Sequence, residues 1–302
     1  MIYAVFIFAV LVNGATDAAN AITGVVCCRL LPYRWAALLS AALNFLGLAV
    51  FAAFAPAVSQ RVESLASGGE REAFAVLLTV VLFAGGAWIF SVPTSESHAL
   101  VAALAGVALA KGQELDFYSL AYITLGALAS ALLGALFGAV ISIFVKENGA
   151  SNKALALMGC ALSSFFHGAQ DGQKFLALGL ATGIFKFNIF SVMLVASAMF
   201  LGTLLGGRRI VEKLGEKMTS LSLRSAVSSD IGSALSLFVI TLLGIPASTT
   251  HIKTCAIAGA AAQRGGKVDK KELVSIAIGW ILTVPACIIL AYFITNPSFF
   301  LG

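Results

Sequence analysis

Long apolar runs alternate along the chain with short charged segments, and the runs come in the same order twice. In the first half they cover about 1–28, 35–58, 74–110 and 117–145; in the second, about 154–182, 187–206, 226–262 and 272–295. A helix needs about 20 apolar residues to cross the hydrocarbon core of a bilayer, and the runs meet or approach that length. The runs 74–110 and 226–262 are too long for one crossing and carry a proline and hydroxyl residues in the middle. Each reads as a helical hairpin that returns to its own side. The segment 146–153 joins the halves, giving an N-terminal unit at 1–147 and a C-terminal unit at 148–302. Three crossings plus a returning hairpin make an odd count, so the two units are expected to insert with opposite orientation. The fold expected is an all-α integral membrane protein built as an inverted repeat, with broken helices and two helical hairpins.

Two polar motifs inside these runs recur at nearly one spacing. Ser-Val-Pro-Thr-Ser-Glu-Ser-His at 91–98 corresponds to Gly-Ile-Pro-Ala-Ser-Thr-Thr-His at 244–251. Pro93 and Pro246, Ser95 and Ser248, Ser97 and Thr250, His98 and His251, and Gly106 and Gly259 all lie 153 residues apart. Gly14-Ala15-Thr16-Asp17 matches Gly168-Ala169-Gln170-Asp171 at a separation of 154. Two independent motifs at almost one offset imply an internal duplication. Inverted repeats that carry polar breaks in apolar helices are the pattern of secondary transporters, whose sites lie near mid-bilayer between the repeats.

Composition sharpens this. Of the 302 residues, 60% are hydrophobic and only 11% are charged, with a mean hydropathy of +0.98, whereas soluble domains carry about 25% charged residues. The net charge of +5 is small, and no basic stripe with interleaved aromatics marks a nucleic-acid surface. Cys27, Cys28, Cys160, Cys255 and Cys287 show no metal-ligand spacing and read as packing residues. The basic residues are uneven between equivalent segments. Segment 59–73 has Arg61 and Arg71 against Glu63, Glu70 and Glu72, while 207–225 has Arg208, Arg209, Lys213, Lys217 and Arg224 against Glu212 and Glu216. Segment 111–116 has one lysine, and 263–272 has Arg264, Lys267, Lys270 and Lys271. By the positive-inside rule, the connector faces inside and both termini face outside.

The islands supply the chemistry. Asp17 and Asn20 are three residues apart and share a helix face, and Gly14 before them permits the helix to unwind. A carboxylate at membrane depth is expensive unless it is paired or wet, and its oxygens suit a hard cation such as sodium. The second copy keeps Asp171 and adds Gln170, Gln173 and Lys174. Lys174 stands where Asn20 stands; pairing with Asp171, facing an anion and snorkelling to the interface all remain open. The hairpin tips present Thr94, Ser95 and Ser97, and Ser248, Thr249 and Thr250. Hydroxyls that cap a helix start, together with its free N–H groups, suit a tetrahedral oxyanion. Glu96 has no acidic counterpart, since Thr249 stands at its place; it reads as a proton or cation ligand or as a partner of a basic group. His98 and His251 read as hydrogen-bond anchors of the tips, with substrate contact or pH sensing as the lesser alternative.

These residues resemble the PiT family of inorganic phosphate transporters. The run 14–21, Gly-Ala-Thr-Asp-Ala-Ala-Asn-Ala, is similar to the family's Gly-Ala-Asn-Asp-Val-Ala-Asn-Ala signature, and 246–251 is similar to its Pro-Val-Ser-Thr-Thr-His element. The run 167–174 is similar to the bacterial form of the second signature. The resemblance implies a transporter, usually dimeric, that imports phosphate with a cation. It departs from the pattern at Thr16, Gln170 and Lys174, and at Asn44, where the family often has a glutamate. A large loop between the halves is also missing.

Residues and resemblance together give a phosphate-binding set of Thr94, Ser95, Ser97, Ser248, Thr249, Thr250, Gln170, Gln173, Asn20 and Ala18. The cation-binding set is Asp17, Asn20, Asp171, Ser95 and Thr249, with sodium at Asp17 and Asp171. The expected function is cation-coupled symport of inorganic phosphate across the cytoplasmic membrane, by a homodimer without a cofactor. Proton coupling, carriage of a metal–phosphate complex, and sulfate or another oxyanion as substrate stay open. A membrane-embedded phosphatase or transferase using His98, His251 and Asp17 is disfavoured, because the polar groups are duplicated and no nucleophile–base pair is evident. A channel is disfavoured because polarity is confined to short islands.

Overall fold

The computed structural model describes residues 1–65, 69–90, 92, 94–113, 117–146, 151–219, 221–263, 265–266 and 268–296. Ser91, Pro93, Arg264, Lys267 and residues 147–150 of the connector lie outside the described residues. So do the side chains of Ala18, Arg61, Glu63, Glu216 and Lys217. The first half contains α1 (Ile2–Cys27), α2 (Tyr33–Phe54), α3 (Ala57–Leu65), α4 (Glu70–Ile89), α5 (Glu96–Ala110) and α6 (Phe117–Phe144). The second contains α7 (Asn152–Ala181), α8 (Ile189–Leu205), α9 (Arg208–Glu212) running into a π-helical turn (Lys213–Lys217), α10 (Leu223–Leu242), α11 (Thr249–Ala262) and α12 (Lys270–Thr295).

Among the described residues six helices are long and apolar enough to span a membrane, namely α1, α2, α4, α6, α10 and α12. A seventh span results if α8 and the α9 region, bent by 63° at their junction, count as one. Helix α7 is longer still, at 30 residues, but its polar face is buried inside the protein rather than replaced by apolar residues. Segments 59–73 and 207–225, expected as loops, hold α3 and α9.

The unwinding expected at Gly14 does not occur, and α1 and α7 are each unbroken. The glycines serve packing instead. A Cβ at Gly14 would collide with the Met199 backbone of α8, and one at Gly168 with the Asn44 backbone of α2. Small residues at such crossings let helices approach to backbone contact. The breaks in the chain fall at the hairpin tips, between α4 and α5 and between α10 and α11, and at the α8–α9 bend.

The close crossings come in matched sets. Gly47 of α2 abuts the Phe165 backbone of α7, and Gly202 of α8 abuts the Leu11 backbone of α1. Gly106 of α5 abuts Ile288 of α12, and Gly259 of α11 abuts Ala135 of α6. The first helix of each half therefore packs on the second helix of the other, and the inner arm of each hairpin packs on the last helix of the other. Gly134 and Gly138 of α6 are likewise occupied within the chain, against Ile252 and Ala256 of α11.

Two apolar clusters flank the polar islands. One joins Ile2, Phe6 and Val10 of α1 to Phe175, Leu176 and Leu178 of α7 and to Ala99 and Ala103 of α5. The other joins Ile22 and Val25 of α1 to Ala156 and Cys160 of α7 and to Ile210, Leu214 and Met218. Helix α1 thus runs from the first cluster to the second, and α7 runs back, so these equivalent helices are antiparallel. The basic segments 207–225 and 263–272 meet at the second cluster's end. Asp269 N donates to Met218 O at 2.8 Å, and Lys213 Nζ lies 3.1 Å from Glu272 Oε1.

Candidate functional site

Between the clusters the four islands converge. Ser95 and Ser248 are the N-caps of α5 and α11, accepting from His98 N and His251 N at 3.3 Å each. Each serine fixes where its helix begins, so Glu96, Ser97, Thr249 and Thr250 occupy first turns whose N–H groups have no intrahelical acceptor. Both first turns are buried against α1 and α7.

Hydrogen bonds tie the islands together. Asn20 Nδ2 donates to Asp17 Oδ1 at 2.8 Å and to Thr250 Oγ1 at 3.0 Å; Thr250 Oγ1 donates to Asp17 Oδ1 at 2.9 Å. Thr249 Oγ1 lies 3.2 Å from Asp17 Oδ2 and 3.2 Å from Asp171 Oδ2, so one tip hydroxyl spans both carboxylates. Asn13 Nδ2 donates to Asp17 Oδ2 at 3.3 Å. Lys174 Nζ donates to Asp171 Oδ1 at 2.5 Å, to Ser97 Oγ at 2.6 Å and to Ala247 O at 2.6 Å. Of the roles left open for Lys174, pairing with Asp171 is the one adopted. Glu96 accepts from the Thr16 hydroxyl, and its other oxygen is buried without a partner.

The expected site residues divide into two groups. Asp17, Asn20, Asp171, Ser97, Thr249 and Thr250 lie in this network, with buried Thr94, Ser95 and Ser248 at the tips. Gln170 and Gln173 turn their amides elsewhere. Gln170 Nε2 donates to Ile245 O at 2.8 Å, and Gln170 Oε1 accepts from Thr241 at 2.8 Å, so the side chain braces the α10–α11 turn. Gln173 Oε1 accepts from Ser59 N and Oγ at 3.3 Å each, and Nε2 donates to Ala169 O. Of the two histidines expected as hydrogen-bond anchors, His251 makes such a bond to α6, at the Ala127 backbone. The two rings also pack: on each other at 4.8 Å between centroids, and His251 on Trp280 at 3.8 Å. His98 Nδ1 and His251 Nε2 are buried without partners.

His167 was not among the expected site residues, yet it lies in the network. Its Nε2 lies 3.1 Å from Asp171 Oδ2 and 3.8 Å from Asp17 Oδ2, and the three side chains offer ligand atoms within 4.8 Å of one another. Its Nδ1 meets Asn44 Oδ1 at 3.1 Å, and Asn44 Nδ2 donates to Thr203 Oγ1 at 3.1 Å, which orients the ring. The legible signal was its spacing of four residues before Asp171, on one helix face. A second missed feature is the buried ion pair of Asp230 in α10 with Lys253 in α11. One acid and one base in facing arms of a single hairpin were its signal.

Helices that cross the bilayer, enclosing buried charge and hydroxyls between two apolar layers, define an all-α membrane transporter. The protein belongs to the phosphate transporter family, whose model matches residues 13–156 and 146–291. A probable low-affinity inorganic phosphate transporter of Rhizobium meliloti is 30% identical over 95% of this chain and 92% of its own length. One from Bacillus subtilis is 28% identical over 95% of this chain and 94% of its own. A solved structure titled "The sodium-dependent phosphate transporter" superimposes with a TM-score of 0.82 at 21% identity, covering 99% of this chain and 98% of that one. The resemblance read from the motifs is thereby confirmed at family level, and the protein is a transporter rather than an enzyme.

Proposed function

We propose that the protein carries inorganic phosphate across the cytoplasmic membrane by alternating access, as a symporter driven by a cation, with sodium as the first choice. The observation that carries this reading is the convergence at Thr249, where one hydroxyl at a hairpin tip lies 3.2 Å from each of two buried carboxylates on opposed helices. Family membership supports phosphate as the substrate. Support for sodium comes from the oxygen-rich environment of Asp17 and from the sodium-dependent transporter that shares the fold.

Phosphate entering alone into a negative cell is opposed by about 2.3 kcal/mol per charge per 100 mV. A cation held by Asp17 beside the anion offsets that cost. The tip hydroxyls and first-turn N–H groups of α5 and α11 then hold the phosphate oxygens. In this reading 1–147 and 148–302 are inverted repeats; the antiparallel course of α1 and α7 and the matched glycine crossings support it. The joined basic segments 207–225 and 263–272 favour their end as the cytoplasmic one, with both termini outside. A homodimer completes the reading.

The second reading is proton coupling, favoured by Glu96: a buried carboxylate close to Asp17, with one oxygen unpartnered. Radiolabelled phosphate uptake into proteoliposomes separates the two. Replacing sodium by choline should stop uptake at either of two pH values; uptake that survives choline and follows an imposed proton gradient overturns the sodium reading. Equal uptake of sulfate would remove phosphate as the specific substrate.

A further inference from the structure

We propose that the Lys174 ammonium permanently takes the place of a transported cation, so that only the Asp17 side of the centre holds a mobile one. This deepens the reading of the protein as a cation-coupled phosphate transporter and rests on it.

The argument starts from three equivalent pairs. Asp17 corresponds to Asp171 and Asn20 to Lys174, each 154 residues apart, and Thr250 corresponds to Ser97, 153 residues apart. On the first side, Asn20 and Thr250 both hydrogen-bond Asp17 Oδ1, and Asn20 is only 4% exposed while its Oδ1 has no partner. A carboxylate, a hydroxyl and an unengaged amide oxygen are the ligand types a small hard cation takes. On the second side the same places are held by Asp171, Ser97 and a positively charged nitrogen. That nitrogen donates to three oxygens, Asp171 Oδ1, Ser97 Oγ and Ala247 O, at 2.5–2.6 Å. An ammonium has three hydrogens to donate, and all three directions are used. The Lys174 head therefore supplies the charge and occupies the oxygen ligands that a free cation would need there. Unlike a free ion, it cannot leave with the substrate. Asp171 stays compensated through the whole cycle, with Lys174 at 2.5 Å and His167 Nε2 at 3.1 Å; Asp17 is hydrogen-bonded by amides and hydroxyls and lies 3.8 Å from the same His167 nitrogen, so it depends on a cation from solution.

The measurement is the number of sodium ions accompanying each phosphate, counted with labelled sodium and labelled phosphate in proteoliposomes. Lys174→Asn, which copies the first side, is expected to carry one more sodium per phosphate than the unmodified protein, with a sodium dependence steeper by about one Hill unit. Asn20→Lys, which copies the second side, is expected to lose its sodium dependence. An unchanged sodium count in Lys174→Asn overturns the proposal. If that variant does not fold, thermal unfolding of Asn20→Lys in detergent decides. Sodium should stabilise the unmodified protein and leave Asn20→Lys unmoved, and equal stabilisation of both overturns the proposal. Absence of any phosphate uptake by the unmodified protein sinks the transport reading and this inference together. Phosphate uptake with an unchanged sodium count sinks the inference alone.

Discussion

Asp17 and Asp171 occupy equivalent turns of α1 and α7, yet their surroundings differ in kind. Asp17 is hydrogen-bonded by Asn13, Asn20, Thr249 and Thr250 and lies 3.8 Å from His167 Nε2, while Asp171 has an ammonium at 2.5 Å and the same ring nitrogen at 3.1 Å. The hairpins differ in the same sense. Asp230 and Lys253 form a buried ion pair in the second, and 153 residues earlier Leu77 and Leu100 sit in one apolar cluster in the first. The backbone scheme is kept where helices cross at glycine, and the charges have diverged around it. The matched positions of the two halves therefore share their packing, which any change of crossing distance would disturb, and differ in their electrostatics.

The sharpest way to break this comparison is to neutralise each aspartate. Asp17→Asn should abolish uptake while the thermal unfolding temperature in detergent stays near that of the parent protein, because its hydrogen-bond donors are neutral and His167 keeps its nearer carboxylate, Asp171. Asp171→Asn should lose uptake and also stability, by about 3–5 kcal/mol, because it strips a carboxylate from a buried ammonium. Equal stability of the two variants would remove the distinction between the sides.

The hairpins offer the next largest effect. Asp230→Asn alone should destabilise the protein by about 3–5 kcal/mol, while the pair Asp230→Leu with Lys253→Leu, which copies the first hairpin, should be near neutral. Chemical or thermal unfolding of the three proteins measures this; a double variant as unstable as the single one contradicts it.

The conserved part of the scheme gives a smaller and symmetric effect. Gly14→Ala and Gly168→Ala each force a methyl group onto a neighbouring helix backbone, at a cost of about 1–3 kcal/mol. Similar losses for the two are expected, and a loss at one position only would show that the crossings are not equivalent. The smallest effect concerns Asn44, whose place at the Gly168 crossing is taken by Met199 at the Gly14 crossing. Asn44→Met frees the His167 ring and should lower uptake on the order of tenfold without unfolding. Unchanged uptake would mean that the orientation of His167 is immaterial.

How far the sequence carried the site can be seen in single residues. Asp17, Ser97 and Thr250 could be picked out because a carboxylate or hydroxyl repeated at one spacing inside apolar runs has few purely structural explanations, and Asn20 and Thr249 because they share a helix face or a tip with them. Gln170 and Gln173 stand in the same motif, yet their amides brace a turn and α3. Motif membership gives the helix and the turn, but not which neighbour a long amide reaches. Gly14 was read as a point of unwinding because glycine permits it; close contact with α8 needs glycine just as strictly, and only the neighbour's position tells the two apart.

By itself the sequence determined the class of the molecule and its family, and it picked out the recurring polar motifs inside apolar runs. Hydropathy and repetition are local properties, written in the chain one segment at a time. The tertiary structure decided which islands share a centre, that Lys174 pairs with Asp171, that Asn44 reaches His167, and that α1 stays helical throughout. Those outcomes depend on contacts between helices far apart in the chain, such as Lys174 with Ser97, Asn44 with His167 and Thr250 with Asp17, set by helix crossings that no window of sequence contains.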